Sequence, residues 1–217
     1  MEFSALIVSL PLGAYLLMLG LIRLRRRVLV TTGGRDTFAL ALAISGLVAV
    51  GPGELFFPAT AATALGIAVW PLLAMLYLLT VALVVLYQRP RLVVYGLGDA
   101  TLAAPLLRAC RAIDADSRLD ERSGTISLPT VGLHLRLVRH RSGDSADVEL
   151  FETDLRPDFW RLLLTELRRE VASEPATSVG GGLILATLGA ILLGWAATQT
   201  ALRPTDIAEG LRAWLSR

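Results

Sequence analysis

The sequence has no lysine, no asparagine and only one cysteine in 217 residues, so all 21 basic side chains are arginine. Lysine and asparagine codons are A-rich, and a GC-rich genome is the simplest cause, because no physical rule bars lysine from every exposed site. The lone Cys110 excludes an internal disulfide framework and any metal site built on several cysteines. Its setting, Leu106-Leu107-Arg108-Ala109-Cys110, reads as a small buried hydrophobe on a helix. An excess of one charge is also lacking. The net charge is +2, and residues 89–175 carry 13 Arg against 14 acids, which leaves no basic face for nucleic acid.

Catalytic groupings are equally sparse. The two histidines, His134 and His140, fall on one face of a strand, with no cysteine partner and no HExxH spacing, and read as surface residues. Asp114, Asp116, Asp120 and Glu121 interleave with Arg118 and Arg122, the pattern of a solvated, self-paired surface. Gly96-Leu97-Gly98 follows a strand but completes neither phosphate-binding fingerprint, and Asp99 would repel an anion there. Without a nucleophile–base pair or a metal set, the expectation is a non-enzymatic chain with no cofactor and no metal.

What the sequence has is long apolar runs. Mean hydropathy is +0.59, and 54% of residues are hydrophobic, concentrated in blocks. The first block, about 3–22, lacks charge and is long enough for a hydrocarbon core of roughly 30 Å. Arg23, Arg25, Arg26 and Arg27 follow it, the reverse of a cleavable signal, which predicts a signal anchor with its N-terminus outside. A second block, about 37–57, opens after Arg35-Asp36, with Asp36 placed to cap it, and meets Gly51-Pro52-Gly53-Glu54 after about 14 residues. The third, about 64–87, contains Pro71, which neighbouring helices can tolerate. The fourth spans 176–198.

Four transmembrane helices threaded N-out place 23–36 and 89–175 in the cytoplasm. Five arginines in 23–36 against none in 51–63 agree with that direction, so Arg23, Arg25, Arg26, Arg27 and Arg35 are the topology-determining residues. The expected location is a bacterial inner membrane. In the fourth block Ser178, Gly182, Ala186, Ala190 and Gly194 recur every four residues and predict a helix-packing stripe, within one bundle or at a homo-oligomeric seam. The tail 199–217, with Thr205 as cap and Ile207, Leu211, Trp214 and Leu215 on one face, predicts an amphipathic helix.

Between the third and fourth blocks the period changes. Leu92-Val93-Val94-Tyr95 reads as a strand, and a helix about 100–113 follows, capped by Asp99. Three or four short strands come next, and a helix opening at Pro157 closes the segment. The order β-α-β-β-β-α predicts a small α+β domain over 89–175 with helices on one face of a mostly antiparallel sheet. Arg26-Arg27-Val28-Leu29-Val30-Thr31 with Gly33-Gly34-Arg35-Asp36 echoes Arg89-Pro90-Arg91-Leu92-Val93-Val94-Tyr95 with Gly96-Leu97-Gly98-Asp99. We therefore hypothesise that Val28–Thr31 adds an edge strand to the same sheet.

Val50-Gly51-Pro52 with Glu54-Leu55-Phe56-Phe57-Pro58, Arg89–Tyr95, and Ser127-Leu128-Pro129 with Gly132-Leu133-His134-Leu135 together resemble uncharacterised inner-membrane proteins of planctomycete bacteria. The resemblance covers roughly 20–140 and implies a membrane-anchored α+β module without an assigned activity. The functional expectation is an interaction or sensing module whose partners are the bilayer and a protein or second copy. The alternative is a small transporter or lipid-handling protein using Glu54, a candidate intramembrane polar site in the broken second segment.

Overall fold

The computed structural model describes residues 2–25, 27–51, 66–120, 122–139, 145–151, 157–175 and 180–215. The chain divides into two compact units, Met1–Gly20, Thr37–Tyr87 and Ile184–Arg217 in one, Leu21–Asp36 and Gln88–Leu183 in the other. The loop Leu21–Asp36, counted with the membrane helices in the sequence, thus belongs with the sheet.

In the first unit, four helices are long and apolar enough to cross a membrane. They are α1 (Glu2–Leu24), α2 (Gly33–Val50), α3 (Val69–Tyr87) and α6 (Gly180–Leu202). The second segment is 18 residues long rather than 14, because it begins at Gly33. Asp36 is accordingly a first-turn acid, and the expected capping role is corrected. Pro71 falls in the first turn of α3, where its missing N–H has no helical acceptor to lose, so no neighbouring helix has to compensate for it.

Close backbone approaches hold α1 to α2 and to α6. Pro11 inside α1 leaves the Ile7 carbonyl without its i+4 donor, and a Cβ added at Gly46 of α2 would overlap that same oxygen. A Cβ at Gly20 would strike the Ala186 backbone, one at Gly189 the Leu17 backbone, and one at Gly13 would crowd Leu192 and Leu193. The paired numbers rise in α1 as they fall in α6, so the two helices run antiparallel. Tyr77 Oη of α3 donates to the Ala41 carbonyl of α2 at 2.6 Å. A terminal helix α7 (Pro204–Leu215) starts at Pro204, not at a Thr205 cap. Its Trp214 stacks on Trp70 with centroids 3.6 Å apart and meets Phe3 at 6.2 Å. The starts of α1 and α3 therefore share one end of this unit.

The second unit is an antiparallel sheet of six strands in the order β1-β2-β6-β5-β4-β3. The strands are β1 (Leu29–Thr32), β2 (Arg91–Tyr95), β3 (Arg118–Asp120), β4 (Thr125–Leu128), β5 (Leu133–Arg139) and β6 (Ser145–Leu150). Helices α4 (Asp99–Ile113) and α5 (Pro157–Val171) cover one face. Period-2 alternation sends Val30, Leu92, Val94, Ile126, Leu128, Leu135, Ala146 and Val148 to that face, against Leu102, Leu106, Leu163 and Leu167. Each fully buried leucine contributes roughly 1.5–3 kcal/mol. Four strands stand between the two helices, so the expected β-α-β-β-β-α order becomes β-α-β-β-β-β-α. The first of the four, expected over Arg118–Glu121, is Arg118–Asp120, short but paired with Thr125–Ser127. Asp99 is the first residue of α4 rather than its cap; Gly98 holds the cap position.

Candidate functional site at the strand and helix junction

The feature that sets this fold apart is β1. It lies in sequence between two membrane-length helices, yet pairs antiparallel with β2 in the register Leu29↔Tyr95 to Thr32↔Leu92. The hypothesised edge strand is present, one residue later than expected. Its last residue, Thr32, is followed at once by Gly33, the first residue of α2, with no linker between strand and helix.

Four ties hold this junction. Arg168 of α5 donates from Nε and Nη2 to the Val30 carbonyl at 3.3 and 3.0 Å, covering an acceptor on an edge strand that otherwise invites pairing by another chain. Tyr95, the last residue of β2, donates its hydroxyl to Asp36 Oδ1 at 2.5 Å. The Arg91 side chain runs across Gly33 so closely that a Cβ there would collide with it. The same Arg91 Nη1 pairs with Asp147 Oδ2 of β6 at 3.0 Å, and the Asp147 side chain is only 5% exposed. A carboxylate so enclosed needs its partner, since removing one side of a buried pair leaves an uncompensated charge. Arg91, Arg168, Asp147 and Tyr95 had no pattern of their own in the sequence; only the glycines and aspartate that follow both β1 and β2 hinted at the place.

The residues singled out from sequence scatter differently. Arg23 is half-buried, with Nη1 3.2 Å from where a Cβ on Gly181 would lie, while Arg25, Arg27 and Arg35 are exposed. Arg26, Glu54, His140 and Ser178 lie outside the described residues. In the packing stripe, Gly182 is buried and Ala186 meets Gly20, but Ala190 and Gly194 are exposed. The reason is rotation: four-residue steps drift about 40° each at 3.6 residues per turn. Contact with α1 instead passes from Ala186 to Gly189 and Leu193.

His134 is exposed on the open sheet face. Of the acidic cluster, Asp116 and Asp120 are exposed as a solvated surface requires, Glu121 lies outside the described residues, and Asp114 departs from the expectation by being buried. Asp114 is 4% exposed and accepts from Thr130 N and Oγ1 at 2.8 and 3.0 Å and from Asp116 N at 3.1 Å. Burial pushes its carboxyl up, but these hydrogen bonds outweigh that and hold it below the usual range. Asp120 accepts from Ser123 Oγ and Arg122 N, which lowers its carboxyl too and closes the β3–β4 turn. Both acids organise backbone. Cys110 is wholly buried, and burial first, the Asp114 charge second, push its thiol up to about 12. Such a thiol is a poor nucleophile at neutral pH.

Arg108 bridges the two helices, Nε to Glu170 at 2.7 Å and Nη2 to Glu174 at 3.0 Å. Among the described residues no group of three or more His, Cys, Asp or Glu is placed to hold a metal ion. The polar groups of the junction are used on one another. Compared with protein-family models, curated proteins and solved structures, the chain matches none.

Proposed function

We propose that this chain is a non-enzymatic, membrane-anchored interaction or sensing module of a bacterial inner membrane. In this reading the N-terminus lies outside and residues 89–175 lie in the cytoplasm, supported by five arginines in 23–36 against none in 51–63. The observation that carries the reading is β1, a strand of the sheet continuous with α2 at Thr32–Gly33. A ligand or partner that tightens or loosens the sheet edge acts directly on the start of a membrane-length helix, which gives two states for binding to bias. The partner is a protein or a second copy of the chain, met by the open sheet face where His134 and Arg136 are exposed.

A photoreactive residue at His134 or Arg136 tests this in intact cells. Each should give a discrete adduct with a partner or a second copy, whereas the same residue at the buried Leu106 should give none. A chain that stays monomeric and without adducts from both exposed positions overturns the reading. Orientation is tested separately: a cysteine at Ser123, in the exposed β3–β4 turn, should react with an impermeant maleimide only after the membrane is opened.

A further inference from the structure

The arginines left over from the junction are concentrated in two short passages of the chain. Residues 21–36 and 88–91 hold Arg23, Arg25, Arg26, Arg27, Arg35, Arg89 and Arg91 against one acid, Asp36. Arg91 is paired with Asp147, and Arg23 is half-buried. Arg25, Arg27, Arg35 and Arg89 are all exposed, and among the described residues none of these four makes a side-chain ion pair or hydrogen bond. The antiparallel β1–β2 pairing draws the two passages together. From its last rung, Thr32↔Leu92, Arg35 lies three residues on, in the first turn of α2, and Arg89 three residues back, just ahead of β2.

Each of the four also sits near the end of an apolar helix. Arg25 and Arg27 follow Leu24, Arg35 is the third residue of α2, and Arg89 follows Tyr87, which is 92% exposed. Arg25, Arg27, Arg35 and Arg89 all belong to the sheet unit, within Leu21–Asp36 and Gln88–Leu183. Exposed guanidiniums without acidic partners, beside an exposed tyrosine at the end of a membrane-length helix, match the chemistry of a phospholipid headgroup layer. Guanidinium binds phosphate through paired hydrogen bonds, and tyrosine settles at the interface.

We propose that Arg25, Arg27, Arg35 and Arg89 form a collar that binds the phosphates of anionic phospholipid headgroups. The collar selects the lipids around the junction and thereby steadies β1 in the sheet. This rests on the membrane-spanning reading but not on any protein partner. Arginine near an anionic surface is worth about fivefold in binding, so removing four should be readily measured.

The test uses the full chain reconstituted in mixed phosphatidylcholine and phosphatidylglycerol vesicles. Selectivity between the two lipids is read by spin-labelled lipid. Wild type should prefer phosphatidylglycerol, and R25Q/R27Q/R35Q/R89Q should lower that preference at least about fivefold. A control of equal charge loss away from the ends of the membrane-length helices, R118Q/R122Q/R161Q/R169Q, should leave it unchanged. Raising salt on the wild type should erode the preference without any substitution, which keeps the test decisive if the quadruple variant folds poorly. Equal association of the two lipids with wild type, or equal loss in both variants, overturns the collar. A chain that fails to float with the vesicles overturns the membrane reading as well.

Discussion

Gly46 lies against the carbonyl of Ile7, an acceptor in α1 that Pro11 has deprived of its helical donor. Two irregularities therefore meet: a residue with no side chain passes where a carbonyl has been freed, and the helices close on each other there. Gly46→Leu should separate α1 from α2 and lower resistance to unfolding in detergent by at least about 1–3 kcal/mol, the usual cost of overpacking. The same measurement distinguishes two glycines of α6. Gly189→Leu should be as damaging, because its Cβ would strike the Leu17 backbone, whereas Gly194→Leu, with nothing within 4 Å, should be tolerated.

Arg168 reaches the Val30 carbonyl across 138 residues of chain. Arg168→Ala should cost about 1 kcal/mol, since the bond is charge-assisted but half-exposed. Its signature should be local: faster amide hydrogen exchange over residues 29–32, with little change in β4 and β5. Uniform acceleration across the sheet would show that β1 is not a separately docked element.

Cys110 provides a pH test. Its thiol is pushed up to about 12 in the folded chain, while an unfolded thiol ionises near pH 8.5, so above that the unfolded state loses a proton the folded state keeps. Stability should therefore fall as pH rises from about 8.5, by up to about 1.4 kcal/mol per unit. Cys110→Ala should remove that part of the slope in urea titrations. Ellman's reagent should find the thiol only after unfolding.

Asp114 predicts the opposite end of the scale. Its carboxyl is held below the usual range in the folded chain by Thr130 and Asp116, so its contribution is present above about pH 4 and lost as pH falls through the folded value. Asp114→Asn should be less stable than wild type at pH 7, and the gap should narrow in acid. Thermal unfolding at pH 7 and pH 3 measures both.

Much of the architecture was legible in the chain. Uncharged blocks of span length, arginines at their ends and the switch to a two-residue period after Tyr87 are local patterns. Local physics is enough to read them: apolar length against bilayer thickness, and alternation against a half-buried sheet. Even β1 was legible as an echo, because the same β-branched run, glycines and aspartate close both β1 and β2. The boundaries were less so. Asp36 and Asp99 look like caps in sequence, but α2 begins three residues earlier, at Gly33, and α4 begins at Asp99 itself, with Gly98 in the cap position.

The sequence by itself determined three apolar runs of membrane length, a shorter fourth in second place, and an α+β segment between the last two, because segment length and hydrophobic period are properties of neighbours in the chain. The start of α2 at Gly33, which brings it to 18 residues, came from the structure. Only the tertiary structure decided that β1 belongs to that sheet and that Arg168, Tyr95, Arg91 and Asp147 hold the junction. It also decided that the packing face of α6 turns from Ala186 to Gly189. Those depend on residues tens to more than a hundred positions apart being brought within hydrogen-bond or backbone contact, which no local pattern encodes.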